Sequence, residues 1–147
     1  MMKKNKGFTL IELIIVVTIV AILSTLAISV YLNFSAKARR SEAKINLESI
    51  YKAELTWYGD AKGFDNNFTT IGWKPAGTAK YFTFSLGNGT EGVPVSSNPV
   101  PASALPFAND NAFAAYGWGN IDKDPAIDVW HIDEQKNLEN DVDDLGS

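Results

Sequence analysis

One carboxylate, Glu12, stands at the entrance of a long stretch that carries no other charge. It is the only charged residue between Lys6 and Lys37. An ionised carboxylate in an apolar environment is strongly disfavoured, so such a group usually has a partner or a task. The spacing therefore marks Glu12 as the first residue whose chemistry needs an explanation.

The chain has one histidine, His131, which lies in a predicted strand near Asp128 and Asp133. No nucleophile elbow, glycine-rich phosphate loop or zinc-ligand spacing accompanies it in the sequence. A single histidine in a strand is far more often structural than catalytic. We therefore predict that this protein is not an enzyme.

A second group of oxygen-bearing side chains stands at relative positions 1, 3, 5 and 9 of one segment, which partly resembles a calcium-binding loop. These residues are Asn120, Asp122, Asp124 and Asp128. Pro125 replaces the usual glycine and His131 the usual final glutamate, which argues against an EF-hand. Two interpretations stay open, a looser calcium site and an Asp/Asn-rich turn that needs no metal. No other cofactor is predicted.

The apolar run that follows Glu12 has no charged residue from Leu13 to Leu32. Twenty residues at a helical rise of about 1.5 Å give about 30 Å, the thickness of a bilayer's hydrocarbon core. A cleaved signal peptide usually has a shorter apolar region. A plain signal anchor explains the length but not Glu12. Basic residues flank the run, with Lys3, Lys4 and Lys6 before it and Lys37, Arg39, Arg40 and Lys44 after it.

The segment Gly7-Phe-Thr-Leu-Ile-Glu12, with a basic leader before it and the apolar run after it, resembles the processing site of type IV pilins and pseudopilins. The close resemblance covers about residues 3–58. It implies that a membrane peptidase cuts after Gly7, that Phe8 becomes an N-methylated N-terminus, and that Glu12 is required for assembly. Many family members have glycine and proline where this chain has Ala21 and Ser29, so the helix is softened less here.

Cleavage after Gly7 would also give Glu12 a physical partner. The new amine of Phe8 keeps its positive charge when it is methylated. In a bundle of packed helices, the amine of a neighbouring chain would offset the cost of burying the carboxylate. A helix at the wrong stagger would leave the charge unmatched, so this pairing would set the register.

Charge divides the chain into a basic part and an acidic part. Residues 1–44 carry a net charge of +5 and residues 45–147 a net charge of −9. The acidic part is a poor candidate for binding nucleic acid non-specifically. The four basic residues after the run would face lipid headgroups before assembly or form a solvated helix face. Cysteine is absent, so the disulfide that closes a C-terminal loop in many pilins has no counterpart here.

Beyond the membrane, one apolar stripe continues the helix. Its members are Ala43, Leu47, Ile50, Tyr51, Leu55 and Tyr58. Gly59 is the predicted stop. The following loop would anchor the core through Phe64, Phe68, Ile71 and Trp73, and strands are predicted at Ala79–Leu86, Ala112–Gly119 and Ile127–Ile132.

These patterns predict an α+β fold, in which a long N-terminal helix packs against a small antiparallel sheet of three or four strands. The predicted parts are a leader at 1–7, a transmembrane and assembly half-helix at 8–33, an amphipathic half-helix at 34–58 and a globular head at 59–147.

The resemblance implies a structural subunit of a type IV pilus that polymerises with itself and serves adhesion, twitching motility or DNA uptake. It implies a precursor in the bacterial inner membrane, processing by a prepilin peptidase, an inner-membrane assembly machinery and a final place in a surface fibre. The alternatives are a pseudopilin of type II secretion and a membrane-anchored ligand-binding protein that forms no fibre.

Overall fold

The computed structural model describes residues 7–122 and 125–146. By its internal contacts the chain forms two compact units, Met1–Ser35 and Ala36–Ser147. Helix α1, Leu10–Ala61, contributes residues to both units. No proline or glycine lies between Phe8 and Tyr58, so the backbone hydrogen-bond ladder of the helix is not broken there. The predicted long N-terminal helix is confirmed.

Helix α1 ends two residues beyond Gly59, the predicted stop. The next residue, Lys62, terminates the helix, because its φ of 64° lies in the left-handed region. Its backbone N–H donates to the carbonyl of Tyr58 at 3.0 Å, and its Nζ donates to the carbonyl of Gly59 at 3.1 Å. A lysine thus fills the C-terminal capping position that glycine usually takes, because its side chain satisfies one of the last carbonyls.

Among the residues that the structure describes, the second unit contains one antiparallel sheet of six strands in the order β2-β1-β4-β5-β6, with β3 paired to β4. The strands are β1 (Thr83–Gly87), β2 (Gly89–Gly92), β3 (Phe107–Ala108), β4 (Phe113–Gly119), β5 (Asp128–Asp133) and β6 (Leu138–Val142). A short 3₁₀ helix follows at Asp144–Gly146. The predicted α+β fold is confirmed, and the predicted count of three or four strands is too low.

The three predicted strands correspond to β1, β4 and β5, and the other three carry no strand signal in the sequence. Strand β2 begins and ends with a glycine at positive φ, β3 has two residues, and β6 is an edge strand with two acidic residues among its five. Strand β1 begins at Thr83 and not at Ala79, because the N–H groups of residues 80–82 donate to the Glu42 carboxylate.

The core lies between α1 and one face of the sheet. From the helix it takes Ala43, Leu47 and Ile50, all fully buried, and from the sheet Phe84 and Phe113. The predicted loop anchors are also confirmed. Phe68 and Trp73 are buried, and Phe64 and Ile71 pack at the edge of the same core. Hydrophobic burial on this face holds the head to its helix.

The apolar stripe of the helix departs from prediction near its end. Leu55, expected inside, is 43% exposed, whereas the neighbouring Glu54 is completely buried. The loop after the helix causes this exchange, because the backbone N–H of Asp65 donates to Glu54 Oε2 at 3.3 Å.

Candidate functional site

The predicted cleavage junction lies immediately before helix α1. Gly7 and Phe8 precede the first helical residue, and the side chain of Phe8 is 84% exposed. A methyl group placed on Gly7 would meet no atom within 4 Å. The described structure therefore leaves the Gly7–Phe8 peptide bond accessible, while residues 1–6, the rest of the predicted leader, lie outside the described residues.

Glu12 is held by Thr9 in a capping box at the start of the helix. The Glu12 Oε2 atom accepts the Thr9 backbone N–H at 2.9 Å and its hydroxyl at 2.7 Å. In return, the Glu12 backbone N–H donates to Thr9 Oγ1 at 3.3 Å. Each side chain thus satisfies a backbone donor that the first helical turn would leave free. The sequence carries the signature Thr-x-x-Glu, which identifies this motif.

The helix around and after Glu12 is apolar on every side. The large hydrophobic side chains from Leu10 to Phe34 are all exposed, and the stretch is long and apolar enough to cross a membrane. A helix that is hydrophobic all round needs an apolar environment, either lipid or other helices. Glu12 is the one acidic residue of this surface.

The basic residues beyond the apolar run are not simply a solvated face. Arg39 donates to the carbonyl of Ile121 and lies over the Tyr81 ring, with its guanidinium carbon 5.0 Å from the ring centre. Lys44 Nζ lies 4.7 Å from the centre of the Trp130 ring. These cations hold head segments against the helix, a role that their sequence position did not reveal.

Arg40 joins the helix to strand β5 and to the C-terminal segment. It donates to the buried carboxylate of Asp128 at 2.8 Å and also to Asp143. Asp128 Oδ2 accepts the indole N–H of Trp130 at 2.6 Å, and the backbone N–H of Asp144 donates to Asp128 Oδ1 at 3.2 Å. Hydrogen bonding to Arg40 holds the pKa of the Asp143 carboxyl below its usual range. In a chain without cysteine, this network fixes the C-terminal segment without a disulfide.

Polar side chains farther along the helix hold other head segments in the same way. Glu42 accepts the backbone N–H groups of residues 80–82 through Oε1, at 3.0 to 3.2 Å. Asn46 accepts the N–H of Ala76 at 3.0 Å, and Ser49 accepts the indole N–H of Trp73 at 2.7 Å. Buried and half-buried polar groups of the helix thus find partners in the loop that leads to β1.

The residues of the predicted calcium loop are only partly gathered. Asp128 serves Arg40, and Asn120 Oδ1 accepts the backbone N–H of Asp122 at 3.1 Å, as in an Asx turn. Asp124 lies outside the described residues. Among residues 7–122 and 125–146, no three His, Asp or Glu side chains are close enough to hold a metal ion. Calcium binding stays a prediction.

His131 pairs with a carboxylate on the neighbouring edge strand. Its Nδ1 lies 2.8 Å from the Asp141 carboxylate, and its ring stacks on Tyr116 at 5.4 Å. Burial, aided by the charge of Asp141, raises the pKa of the Tyr116 hydroxyl. This arrangement joins β4, β5 and β6 through side chains.

Comparison with known proteins agrees with the motif at the helix start. Residues 2–28 match the family model of the prokaryotic N-terminal methylation motif. The type IV major pilin protein PilA of Myxococcus xanthus is 34% identical over 124 residues, which are 83% of this chain and 56% of that protein.

Two further relatives match a smaller part of the chain. A fimbrial protein of Neisseria meningitidis serogroup A is 40% identical over 68 residues, 46% of this chain and 40% of the relative. The type IV major fimbrial protein FimA of Dichelobacter nodosus is 37% identical over 98 residues, 67% of this chain and 54% of the relative. The chain spans about half the length of the curated relatives it matches.

Proposed function

The chain belongs to the type IV pilin family, and from that premise we propose that it is the structural subunit of a type IV pilus, polymerising through α1 into a surface fibre. Family membership indicates a structural protein. The fibre would serve adhesion, twitching motility or DNA uptake. The observation that carries the proposal is the exposed, wholly apolar helix from Leu10 to Phe34 with one carboxylate at its start.

The proposed pathway begins in the bacterial inner membrane, where the apolar helix of the precursor matches the hydrocarbon core. A prepilin peptidase would cut after Gly7 and leave a methylated amine on Phe8. An inner-membrane assembly machinery would then transfer the helix from lipid to a bundle of identical helices. Both environments are apolar, so the transfer exposes little hydrophobic surface to water.

Glu12 would set the register of the incoming helix against its neighbours in the bundle. Its Oε2 atom accepts two hydrogen bonds from Thr9, whereas Oε1 takes part in neither. A carboxylate accepts hydrogen bonds through both oxygens, so a capped Glu12 can still receive the Phe8 amine of an adjacent subunit. Thr9 would hold the carboxylate in one rotamer while that amine approaches.

The proposal is tested by shearing cells and identifying the released material by mass spectrometry and electron microscopy. Long thin fibres composed of this chain would support a pilus subunit. Filaments that form in the periplasm only on overexpression would instead indicate a pseudopilin of type II secretion. A chain that stays in the membrane fraction under all conditions would indicate an anchored ligand-binding protein and would overturn the proposal.

A further inference from the structure

A cavity of about 330 Å³ lies on one side of helix α1, where the helix meets strand β5. Three of its five lining residues are cations, Lys37, Arg40 and Lys44, and the others are Ser41 and Trp130. The cations recur at spacings of three and four residues, so they share one face of the helix. Lys37, Ser41 and Lys44 are exposed, whereas Arg40 is partly buried and fixed by Asp128. The cavity therefore presents positive charge, part of it from a guanidinium that Asp128 holds in place.

The chain itself places an anion at this cavity. The carboxylate of Asp143 bonds to Arg40 and is also stabilised by the charge of Lys37. Unlike the buried Asp128, the Asp143 side chain is 57% exposed. It also lies in the C-terminal segment, beyond the last strand. An exposed ion pair of this kind is weak and exchanges readily with another anion. The position of the Asp143 carboxylate thus indicates that the cavity can accept an anionic group of another molecule.

The position of the cavity along the helix indicates that the anion which binds there is a lipid headgroup. Lys37 follows the last large apolar side chain of the exposed run, Phe34, by three residues of the same helix. A helix whose apolar run fills the hydrocarbon core places the next turn in the layer of lipid headgroups. Trp130 also lines the cavity, and amphipathic indole rings are favoured at a membrane–water interface.

We propose that this cavity binds the phosphate of an anionic phospholipid while the subunit is in the membrane, and that the lipid replaces Asp143 on Arg40 and Lys37. Lys44 supplies a third positive charge. Loss of the lipid on leaving the membrane returns Asp143 to Arg40, so both states keep the guanidinium paired. The inference rests on the membrane-bound precursor proposed above, but not on fibre formation.

The test uses the full chain, purified in detergent with equal amounts of phosphatidylglycerol and phosphatidylcholine. Native mass spectrometry counts the lipids that remain on each subunit. The double variant Lys37→Gln/Lys44→Gln should retain at least about fivefold less phosphatidylglycerol, since each lysine near a membrane contributes to binding anionic lipid. Asp143→Asn should retain about two- to threefold more, because the competing carboxylate is gone. Lys52→Gln/Lys74→Gln makes the same change of net charge at exposed lysines away from the cavity and should match the wild type.

Equal phosphatidylglycerol retention by the cavity variant and the control variant, with unchanged melting temperatures, would overturn the proposal. So would equal retention of the two lipids by the wild-type chain. A large excess of inorganic phosphate is added in a second arm. If it removes phosphatidylglycerol, the cavity is a site for soluble phosphate compounds and the lipid assignment is wrong.

Discussion

Arg40 of the helix lies 2.8 Å from Asp128 of strand β5, 88 residues later in the chain, and this carboxylate is completely buried. Removing one partner of a buried pair leaves the other without compensation. We expect Arg40→Met to lower the free energy of unfolding by about 3 kcal/mol. Asp128→Asn should cost less, because the amide oxygen can still accept the indole N–H of Trp130.

The contribution of the Arg40–Asp128 pair to stability is measured by denaturant unfolding of the full chain in detergent, monitored by tryptophan fluorescence. Lys52→Met, at an exposed site of the same helix, is the control and should change stability by less than about 0.5 kcal/mol. Unfolding of Arg40→Met at the wild-type denaturant concentration would show that the pair does not stabilise the head.

Glu54 should make the stability of the head depend on pH. Its side chain is completely buried, and Oε1 has no hydrogen-bond partner among the described residues. Burial, which the hydrogen bond from Asp65 only partly offsets, raises the pKa of Glu54 from 4.5 to about 7. The folded state thus binds a proton more tightly than the unfolded chain does. The contribution of Glu54 to the free energy of unfolding is therefore fully present below pH 4.5 and is lost as the pH rises through about 7.

We therefore expect the wild-type head to be about 2 kcal/mol less stable at pH 8 than at pH 5 because of this group alone. Glu54→Gln cannot lose a proton and should flatten this part of the profile. The measurement is the difference between the two unfolding profiles from pH 4 to pH 9, which removes the contributions of other groups. Parallel profiles would refute the assignment.

Processing is predicted to leave Phe8, methylated on its amine, as the first residue. Intact mass measurement of the assembled protein checks this. Gly7→Val should block cleavage, because a branched side chain crowds a subsite that accepts glycine. The control is Val20→Leu, which changes the apolar run but leaves the cleavage motif intact. Because the motif directs cleavage, this variant should be processed normally. A chain that retains residues 1–7, or is cut after the apolar run, would contradict the proposed function.

Glu12→Gln should reduce fibre yield sharply at equal subunit levels, while membrane insertion, cleavage after Gly7 and folding of the head are kept. The amide keeps the size of the side chain but loses the charge that attracts the Phe8 amine. Glu12→Asp should be intermediate, since the charge remains but reaches one methylene less far. Sheared fibre mass per cell is the measurement.

Variants of Thr9 distinguish the two roles of Glu12 in the same assay, which are pairing with the Phe8 amine and capping the helix with Thr9. Thr9→Ser keeps the hydroxyl and should assemble normally. Thr9→Val loses it and should assemble less well, although less severely affected than Glu12→Gln. Abundant normal fibres from Glu12→Gln would show that apolar packing alone sets the register of the helices.

If segment 120–128 is the turn that needs no metal, calcium should leave the melting temperature of the head unchanged. Asp128, which the calcium loop would need, is already held by Arg40, Trp130 and Asp144. Calorimetric titration of the full chain in detergent, with chelated protein as the control, checks this. Heat of binding that Asp122→Ala and Asp124→Ala each weaken would instead establish a calcium site in segment 120–128.

Local signals were enough for the helix and the candidate assembly site. The membrane-length run, its single carboxylate and the cleavage motif are properties of neighbouring residues, and so is the Thr9–Glu12 capping box. The strands β1, β4 and β5 were also predictable, because aromatic or β-branched residues recur in each of them. The strands β2, β3 and β6 were not, since their residues adopt strand geometry only by pairing with those three.

The long apolar helix and its single unmatched charge follow from local properties of the chain, because length, hydrophobicity and spacing are fixed by neighbouring residues. The contacts that hold the head against the helix depend instead on tertiary packing. It buried Glu54 in place of Leu55, gave the Glu42 carboxylate to the backbone of residues 80–82, and paired Arg40 with Asp128 and Asp143. These choices join residues 38 or more positions apart in most cases, and they depend on which donors and acceptors the packed sheet leaves unpaired against the helix.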